Sequence, residues 1–492
     1  MNSEVSIAAL MADSGVGFGT SGARGRVADM TPPVCYAYTR AFLQHLEQAH
    51  GLAPGARVAI AGDLRPSTPR IMAAVARAVA DAGYRPLNCG FIPSPAVALF
   101  GIEQGIPSVM VTGSHIPDDR NGIKFNTALG EILKEDEAGI RAQRVEVPEP
   151  FPADFEAALP AVDEAAARAY LRRYTDFLPA DALAGMRVGV YQHSGVARDL
   201  LPELLAALGA EPVPLGRSEV FLPVDTEAIR PEDVELARQW AAEQDFDAIV
   251  STDGDADRPL VGDERGAWLR GDVAGVLCAR FLGIERLVTP VSSNSVVERC
   301  GWFESVDRTR IGSPYVIAGM QVAAAAGGTV AGYEANGGFL LATPVTREGR
   351  TLAALPTRDA VIVILALLVA AREQGTRLSG LVGDMPPRFT ASDRLKDFPT
   401  EGSRACIARL LDEAGEGDTA AIEAAFGDLC GRVAATDTTD GLRITFENGE
   451  IVHLRPSGNA PEFRCYNEAD SPQRAAELNR ACLAVLEGWR QG

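Results

Sequence analysis

Short apolar runs alternate with amphipathic segments through most of the chain. Residues 57–63 (RVAIAGD) are a compact apolar run, which predicts a buried strand. Residues 68–83 (TPRIMAAVARAVADAG) have helical spacing, begin at a threonine and end at a glycine, which predicts a helix. Residues 107–112 (PSVMVT) predict the next strand. The pattern therefore indicates repeated strand–helix units from the first part of the chain.

A Pro- and Glu-rich stretch, residues 145–156, predicts a connector, after which the alternation starts again. The later predicted strands are residues 186–191, 246–252, 286–292 and 329–334. The later predicted helices are residues 196–209, 272–283, 315–328 and 356–375. Strands that alternate with helices are typical of parallel sheets covered by helices on both faces. We therefore expect three related α/β units.

The pattern changes from Pro386 onwards. Residues 441–457 are two strand-like runs around an Asn-Gly pair, which predicts a hairpin. Residues 473–491 have helical spacing. The sequence thus predicts three related mixed α/β domains plus a smaller α+β C-terminal domain. The expected boundaries are 1–155, 156–266, 267–385 and 386–492.

Length, charge and cysteine usage narrow the class of protein. A chain of 492 residues is too long for one core. Its net charge of -20 argues against nucleic acid or an anionic membrane as a partner. The longest apolar run, 361–371, is too short to span a bilayer, and the N-terminus lacks the basic region of a signal peptide. The eight cysteines are scattered without a CxxC pair, so we expect buried thiols, a cytoplasmic location, and a monomer or homodimer.

Three predicted strands end in unusual polar loops, at Ser114, Asp253 and Glu334. Ligand sites in open α/β sheets lie beyond the C-terminal ends of the strands. We therefore expect these three loops to contribute to one site.

The loop TDGDADR (residues 252–258) places Asp253, Asp255 and Asp257 at alternate positions. Alternate side chains of an extended segment share a side, and converging carboxylates repel unless a cation lies between them. Hard oxygen ligands favour Mg²⁺ or Ca²⁺. An EF-hand is excluded because its sixth position is Arg258, where that motif requires glycine, and because an apolar strand precedes the loop. An acidic surface turn is the structural alternative.

The loop VTGSHIPDDRNGIKF (residues 111–125) follows directly from a predicted strand and contains an Asn-Gly pair that we interpret as a turn. Ser114 could be a nucleophile with a base, a phosphate carrier or a capping residue. The adjacent His115 has poor geometry for a relay to the same serine. Lys124 offers a positive charge or, if nearby cations depress its pKa, a proton shuttle.

Three further motifs carry weaker signals, each of which an ordinary surface turn or loop would also explain. Residues 455–464 (RPSGNAPEFR) combine arginine with Ser, Gly and Asn, as in an anion-binding nest. Residues 332–338 (GYEANGG) place Glu334 and Asn336 where they could bind vicinal sugar hydroxyls. Residues 18–25 (FGTSGARG) surround Arg24 with small residues that let the backbone approach an anion.

Together, in this order, the five motifs resemble those of the α-D-phosphohexomutase superfamily over nearly the whole chain. The resemblance implies four domains around a central cleft, a phosphorylated Ser114, and Mg²⁺ held by that residue with the three aspartates. It also implies proton transfer assisted by Lys124 and His115, and charge neutralisation by Arg24 and Arg258. Sugar contacts are implied for Glu334 and Asn336. The residues implied for the non-reacting phosphate are Arg455, Ser457, Gly458, Asn459 and Arg464.

The activity implied by the resemblance is interconversion of hexose 6-phosphates and hexose 1-phosphates through a hexose 1,6-bisphosphate. The loop at Glu334 resembles that of a subset usually called phosphomannomutases, so mannose phosphates are the first expectation. Phosphoglucomutase or dual activity, and then phosphoglucosamine mutase activity, are the alternatives. A silent sugar-phosphate sensor is disfavoured because the chain retains the serine and the aspartates. A Mg²⁺-dependent phosphatase is disfavoured because a separate phosphate nest and a closed cleft do not suit hydrolysis.

Overall fold

The computed structural model describes residues 2–19, 22–457 and 461–491. The chain divides into two compact units. The first unit spans Met1–Leu287 and Met320–Gly383, and the second spans Val288–Gly319 and Asp384–Gly492.

The first part of the first unit contains the loop that carries Ser114. Its strands are β1 (Asn2–Ser6), β2 (Gly17–Phe18), β3 (Gly22–Arg26), β4 (Arg57–Gly62), β5 (Arg85–Phe91), β6 (Ser108–Val111), β7 (Arg120–Thr127), β8 (Gly130–Glu131) and β9 (Arg144–Pro148). Its helices are α1 (Ile7–Ser14), α2 (Pro32–Ala49), α3 (Thr68–Asp81), α4 (Ser94–Gln104) and α5 (Lys134–Arg141). The main sheet has the order β2-β3-β7-β6-β4-β5, with parallel pairing of β4 to β5 and β6 and antiparallel pairing of β7 to β6 and β3.

Two predictions for this region were wrong in part. The pair Asn121-Gly122 is not a turn, because it lies inside β7, where Gly122 pairs with Arg24 of β3. A side chain at Gly122 would lie 2.8 Å from the Thr112 carbonyl oxygen, so the glycine permits close strand approach. The predicted connector begins as strand β9, which pairs antiparallel with β1 because Val145 and Val147 alternate into the core.

The next part of the first unit carries the aspartate loop. It contains a 3₁₀ turn (Phe155–Ala158), α6 (Ala165–Phe177), β10 (Arg187–His193), α7 (Leu200–Ala207), β11 (Glu211–Arg217), α8 (Pro231–Glu243), β12 (Ala248–Thr252) and β13 (Pro259–Gly262). The sheet order is β11-β10-β12-β13, with β13 antiparallel to β12 and the other pairs parallel. The sheets of the first two parts are therefore mixed, whereas strand–helix alternation is typical of parallel sheets.

The third stretch of the chain carries the Glu334 loop. Its helices are α9 (Gly271–Leu282), α10 (Val296–Arg299), α11 (Ser313–Ala325) and α12 (Ala360–Glu373), followed by a 3₁₀ turn (Leu378–Val382). Its strands are β14 (Arg286–Pro290), β15 (Ser305–Thr309), β16 (Val330–Tyr333), β17 (Phe339–Leu341), β18 (Val345–Arg347), β19 (Arg350–Leu352) and β20 (Leu355–Asp359). Within the first unit, β17 pairs antiparallel with β16 and β20.

Helix α12 begins later than the predicted residue 356. Residues 355–359 extend as β20, and the Asp359 carboxylate accepts a hydrogen bond of 3.1 Å from the backbone N–H of Val361, which caps the helix there. The apolar helix is buried along most of its length. Within the described residues, no helix combines the length and apolar character needed to cross a membrane.

The second unit contains the C-terminal antiparallel sheet. Its C-terminal elements are β21 (Phe389–Lys396), α13 (Thr400–Ala408), α14 (Thr419–Cys430), β22 (Val433–Asp437), β23 (Leu442–Phe446), β24 (Ile451–Pro456), β25 (Glu462–Ala469) and α15 (Pro472–Gln491). The sheet order is β21-β25-β24-β23-β22. The predicted hairpin is present as β23 and β24, with Gly449 at a positive φ of 82° in the turn. No disulfide joins the eight cysteines, all of which lie in the described residues.

Candidate functional site

Ser114 lies in a strained position at the start of the loop after β6. Its φ is 55°, in the left-handed region that favours glycine, and its side chain is buried. Its hydroxyl donates a hydrogen bond of 2.6 Å to Oδ2 of Asp253. A side chain at Gly254 would lie 2.7 Å from the Ser114 carbonyl oxygen, so the two loops meet at their backbones. The structure thus brings together the two motifs with the strongest sequence signals.

Arg65 binds the backbone of this loop. The sequence alone did not identify it as a site residue. Its guanidinium is fully buried, pairs with Asp63 at 2.9 Å, and donates to the carbonyl oxygens of Ser114 (2.7 Å), Pro117 (2.8 Å) and Arg120 (3.3 Å). A planar guanidinium with several donors can bind several carbonyls at once, which an ammonium cannot do with the same geometry. Arg65 therefore holds the backbone of the loop from Ser114 to Arg120 in place.

The three aspartates converge as predicted. Asp253, Asp255 and Asp257 are buried, and one carboxylate oxygen from each lies within 4.8 Å of the others. Oδ1 of Asp255 and Oδ1 of Asp257 are buried and accept no hydrogen bond. Buried carboxylate oxygens without donors are costly, and a hard cation would satisfy them. The arrangement therefore fits a divalent metal ion.

The ionisation of the aspartates shows the same need for positive charge. Burial, together with the neighbouring Asp255 and Asp257, raises the pKa of Asp253 well above its ordinary value. Burial also opposes ionisation of Asp255, but Lys124 lowers the pKa of that carboxyl overall. For Asp257, burial is again opposed, chiefly by Arg358, and its pKa is lowered. Asp255 and Asp257 thus have close cationic partners, whereas Asp253 accepts from the Ser114 hydroxyl and has Arg258 only at 4.0 Å.

Lys124 projects from β7 into the aspartate group. Its Nζ lies 2.6 Å from Oδ2 of Asp255 and 2.7 Å from Oδ2 of Asp257. Burial disfavours the ammonium form, but the two carboxylates outweigh it and raise the pKa of Lys124. The part of Lys124 in proton transfer stays a prediction, and its observed contacts are those of a positive charge held between two carboxylates.

Three cationic or potentially cationic groups, Arg24, Arg258 and His115, lie close enough together to shift one another's pKa. Arg258 lies 3.6 Å from Oδ1 of Asp257. Burial and the charge of Arg258 lower the pKa of Arg24 to about 10. Arg258 and burial lower the pKa of His115 to about 3, so its imidazole is uncharged at neutral pH. Nδ1 of His115 lies 3.2 Å from the Ser114 hydroxyl, in contrast to the poor geometry expected for adjacent residues.

Arg358 links the aspartate loop to the Glu334 loop. Its guanidinium lies 3.0 Å from Oδ2 of Asp257 and donates a hydrogen bond of 3.1 Å to Oε2 of Glu334. The sequence pattern placed this arginine in a predicted helix, so it was not considered as a site residue. In the structure it lies near the end of β20, and a strand end followed by polar residues is the signal that could have identified it. The structure therefore brings Glu334 into the same group of residues as the aspartates.

Asn336 shapes the Glu334 loop. Its Oδ1 accepts a hydrogen bond of 2.9 Å from the backbone N–H of Gly338, and its carbonyl oxygen accepts one of 2.8 Å from the Thr226 hydroxyl. Gly271 lies so close that an added side chain there would meet the Gly337 backbone nitrogen at 2.3 Å. The side chain and the backbone carbonyl of Asn336 thus both make contacts that fix the conformation of the loop.

The phosphate-binding residues predicted near the C-terminus lie in the second unit. Nε of Arg455 lies 3.0 Å from Oδ2 of Asp440, and Nη2 of Arg464 lies 3.3 Å from Oε2 of Glu462. Ser457 is buried at the end of β24, and Gly458 and Asn459 lie outside the described residues. The strand register places Arg455 opposite Arg464, and Arg464 opposite Arg394, so three arginines form one row across β24, β25 and β21.

Comparison with known proteins gives the same order of parts along the chain. Models of the phosphoglucomutase/phosphomannomutase family match residues 15–147 (alpha/beta/alpha domain I), 168–266 (domain II), 270–389 (domain III) and 407–484 (C-terminal domain). The chain belongs to the phosphoglucomutase/phosphomannomutase family. The predicted superfamily and its mixed α/β four-domain fold are thereby confirmed.

Two similar proteins carry the name phosphomannomutase. The protein from Sinorhizobium fredii is 47% identical over 476 residues, which cover 95% of this chain and 98% of the relative. The protein from Salmonella muenchen is 44% identical over 474 residues, 96% of each chain. A solved structure of a phosphoglucomutase/phosphomannomutase family protein from Burkholderia thailandensis has a TM-score of 0.70 at 19% identity and covers 96% of this chain and 97% of its own.

Proposed function

We propose that the protein is a phosphomannomutase that interconverts mannose 6-phosphate and mannose 1-phosphate through a phosphoserine and a hexose 1,6-bisphosphate. The observation that carries the proposal is the buried contact between the Ser114 hydroxyl and Asp253, at 2.6 Å, inside a group of three carboxylates. A hydroxyl beside a hard-cation site is suited to carrying a phosphoryl group. The two relatives named phosphomannomutase support mannose as the sugar.

Mg²⁺ is the cation we propose for Asp253, Asp255, Asp257 and the phosphorylated Ser114, where it would neutralise charge on the phosphoryl group. The two buried oxygens without donors support this ligand set. Lys124 contributes positive charge beside the metal ligands, since its Nζ lies within 2.7 Å of Asp255 and Asp257.

We propose that the phosphoryl group moves from Ser114 to the free hydroxyl of a hexose phosphate. The bond between phosphorus and Ser114 Oγ breaks while a bond from phosphorus to the sugar oxygen forms. The proton that the sugar hydroxyl loses must reach the Ser114 oxygen that the phosphoryl group leaves. His115, whose Nδ1 lies 3.2 Å from that oxygen, and Lys124 are the residues that we propose to assist this transfer. Arg24 and Arg258 stabilise the negative charge that spreads over the phosphoryl oxygens. The reverse transfer returns the other phosphate of the bisphosphate to Ser114.

We further propose that Glu334, oriented by Arg358, and Asn336 bind the sugar. Carboxylate oxygens accept paired hydrogen bonds from vicinal hydroxyls, and the bond from Arg358 fixes the direction in which Glu334 presents its second oxygen. The non-reacting phosphate would be bound by Arg455, Ser457, Gly458, Asn459 and Arg464. The domain boundaries 1–155, 156–266, 267–385 and 386–492 and a cytoplasmic location belong to the same proposal.

The decisive experiment combines a substrate panel with detection of the phosphoserine. We expect the purified protein with Mg²⁺ to turn over mannose phosphates faster than glucose or glucosamine phosphates, and mass spectrometry to find one phosphate on Ser114. Ser114→Ala should reduce turnover by at least about 10³-fold, because no phosphoryl carrier remains. Faster turnover of glucosamine 6-phosphate would exclude the mannose assignment. Substantial turnover by the folded Ser114→Ala protein would exclude the phosphoserine route.

A further inference from the structure

A second group of metal-ligating side chains lies in the first unit, formed by His45, His50 and Asp136. Nε2 of His45 is 2.9 Å from Oδ1 of Asp136, and Nε2 of His50 is 2.7 Å from the same oxygen. The two imidazole rings are nearly perpendicular, with an interplanar angle of 77° and centroids 5.6 Å apart. Two of the five histidines of the chain therefore direct the same ring atom to one carboxylate oxygen.

We propose that His45, His50 and Asp136 form a binding site for a divalent transition-metal ion of the zinc type. Two imidazole nitrogens and one carboxylate oxygen are a typical three-residue ligand set for Zn²⁺, with the fourth position left to water. The all-oxygen group at Asp253 favours Mg²⁺ instead. The chain would then have two cation sites with different chemical preferences, and the proposed mutase reaction requires only the aspartate site.

Helix geometry holds the three ligands in place. His45 lies within α2, and His50 directly follows the helix as its C-cap, where its backbone N–H donates to the Leu46 carbonyl oxygen. The same helix therefore positions both histidines. Asp136 lies in the first turn of α5, where its Oδ2 accepts a hydrogen bond of 3.0 Å from the backbone N–H of Leu133. That bond orients the carboxylate and directs Oδ1 to the imidazoles. A ligand oxygen fixed by a second hydrogen bond is the usual arrangement around bound metals.

Gly139 provides an independent sign that His45 has a fitted position. A side chain at this glycine would lie 2.3 Å from Cε1 and from Nδ1 of His45. Gly139 is inside helix α5, where glycine costs about 0.5–1 kcal/mol relative to alanine. The helix thus contains an unfavourable residue at the one point where the imidazole ring packs against it.

The group is accessible to an ion from solvent. The side chain of His45 is 8% exposed and that of Asp136 12%, whereas that of His50 is 35% exposed and gives a path from solvent. Ligand atoms around a tetrahedral Zn²⁺ lie about 3.3 Å apart, from bond lengths of about 2.0–2.1 Å. Separations of 2.7 and 2.9 Å need only a small outward movement, in which the ion replaces the two Nε2 protons that face Asp136.

The test is zinc retention by the full-length protein in excess Mg²⁺, which competes at the aspartate site. We expect the wild-type chain, loaded with Zn²⁺ and then dialysed, to keep one zinc per chain by elemental analysis. His50→Ala should lose it and keep its mutase activity with Mg²⁺ and its circular dichroism. Gln48→Ala, an exposed change on the same helix, should retain the zinc.

A second variant tests the site without removing a ligand. Gly139→Ala should weaken zinc binding by about 10–100-fold, because it displaces the His45 ring. Equal zinc retention by wild type and His50→Ala would overturn the proposal, as would no retained zinc in wild type. In either case the three side chains would be a hydrogen-bonded cluster only. Loss of mutase activity in Ser114→Ala is a separate result and does not bear on this site.

Discussion

The two regions proposed to handle phosphate hold their arginines in different ways. In the first unit, the Arg65 side chain has no solvent exposure, and its donors bind Asp63 and three loop carbonyls. In the second unit, the side chains of Arg455 and Arg464 are 17% and 37% exposed and lie beside the carboxylates of Asp440 and Glu462. A guanidinium whose donors bind the protein's own backbone fixes the conformation of that backbone. One that is accessible and balanced by a carboxylate can exchange that partner for a phosphate.

Each region has a buried histidine that donates a hydrogen bond to a backbone carbonyl beside it. Nε2 of His193 donates to the Thr252 carbonyl at 2.9 Å, next to the aspartate loop. Nε2 of His453 donates to the Asp440 carbonyl at 2.7 Å, next to the partner of Arg455. In both cases Nδ1 is buried and has no hydrogen-bond partner. Each loop is thus supported by a buried imidazole that is neutral at neutral pH, although the arginines differ.

Among the changes that test this comparison, Arg65→Lys has the largest expected effect. It tests whether the buried arginine acts by holding the loop backbone in place. Lysine keeps the charge but cannot bind Asp63 and three carbonyls together, so Ser114 should lose its fixed position. We expect kcat to fall by about 10²-fold, as for other displaced catalytic groups, with little change in KM. The rate at which Ser114 is phosphorylated by the bisphosphate, followed by mass spectrometry, should fall equally.

Arg57→Lys is the matched control for that change. Arg57 begins β4, the strand that precedes Arg65. Its exposed guanidinium bonds only to the side chain of Gln104 among the contacts described, at 3.0 Å. We expect kcat within about twofold of wild type, as for an ordinary surface substitution. An Arg65→Lys protein as active as the control would show that the loop keeps its course without the guanidinium.

A smaller effect is expected from Arg455→Gln, which changes one of the solvent-accessible arginines of the second unit. Loss of a charged hydrogen bond to phosphate, about 1.5–3 kcal/mol, should raise KM for both hexose phosphates by roughly 10–100-fold. Ser114 should still be phosphorylated at a saturating bisphosphate concentration, because its own loop is unchanged. If KM stayed constant while kcat fell, Arg455 would have a structural role like that of Arg65, and the contrast would fail.

The smallest expected effect on activity comes from the two histidines, whose influence is on stability as the pH changes. Burial lowers the pKa of His193 and of His453 from 6.5 to about 4. Below about pH 6.5 the unfolded chain therefore binds protons that the folded chain does not, and stability falls as the pH falls towards 4. The loss should approach about 1.4 kcal/mol per pH unit for each histidine.

Denaturant unfolding at several pH values between about 7 and 5 measures this loss. His193→Gln and His453→Gln retain a donor but do not titrate, so each should show a shallower decline than wild type. Equal declines in wild type and in both variants would assign the acid sensitivity to other groups.

Local motifs were predictable from the sequence and distant partnerships were not. Ser114 and the three aspartates were found because each motif fits within a few residues and follows a recognisable strand. Arg65 and Arg358 were missed because their partners are remote in sequence: Arg65 binds the Ser114 carbonyl, and Arg358 binds Glu334 and approaches Asp257. An arginine near the end of a strand has many possible partners, and only the folded chain selects among them.

The fold shows the same division. Alternating apolar and polar runs located most strands and helices, because burial on one face leaves a periodic signal. The antiparallel position of β7 between β3 and β6, and the pairing of β9 with β1, depend on contacts between segments far apart in the chain. Those pairings turned an expected turn and an expected connector into strands.

The close approach of Gly254 to the Ser114 carbonyl has a consequence for protein engineering. A side chain at Gly254 would lie 2.7 Å from that oxygen. Substitutions in the two loops therefore constrain one another, although the two residues are 140 positions apart in the sequence. A library that diversifies either loop alone would be dominated by steric failures. Recombination between distant homologues should preserve both loops from the same parent.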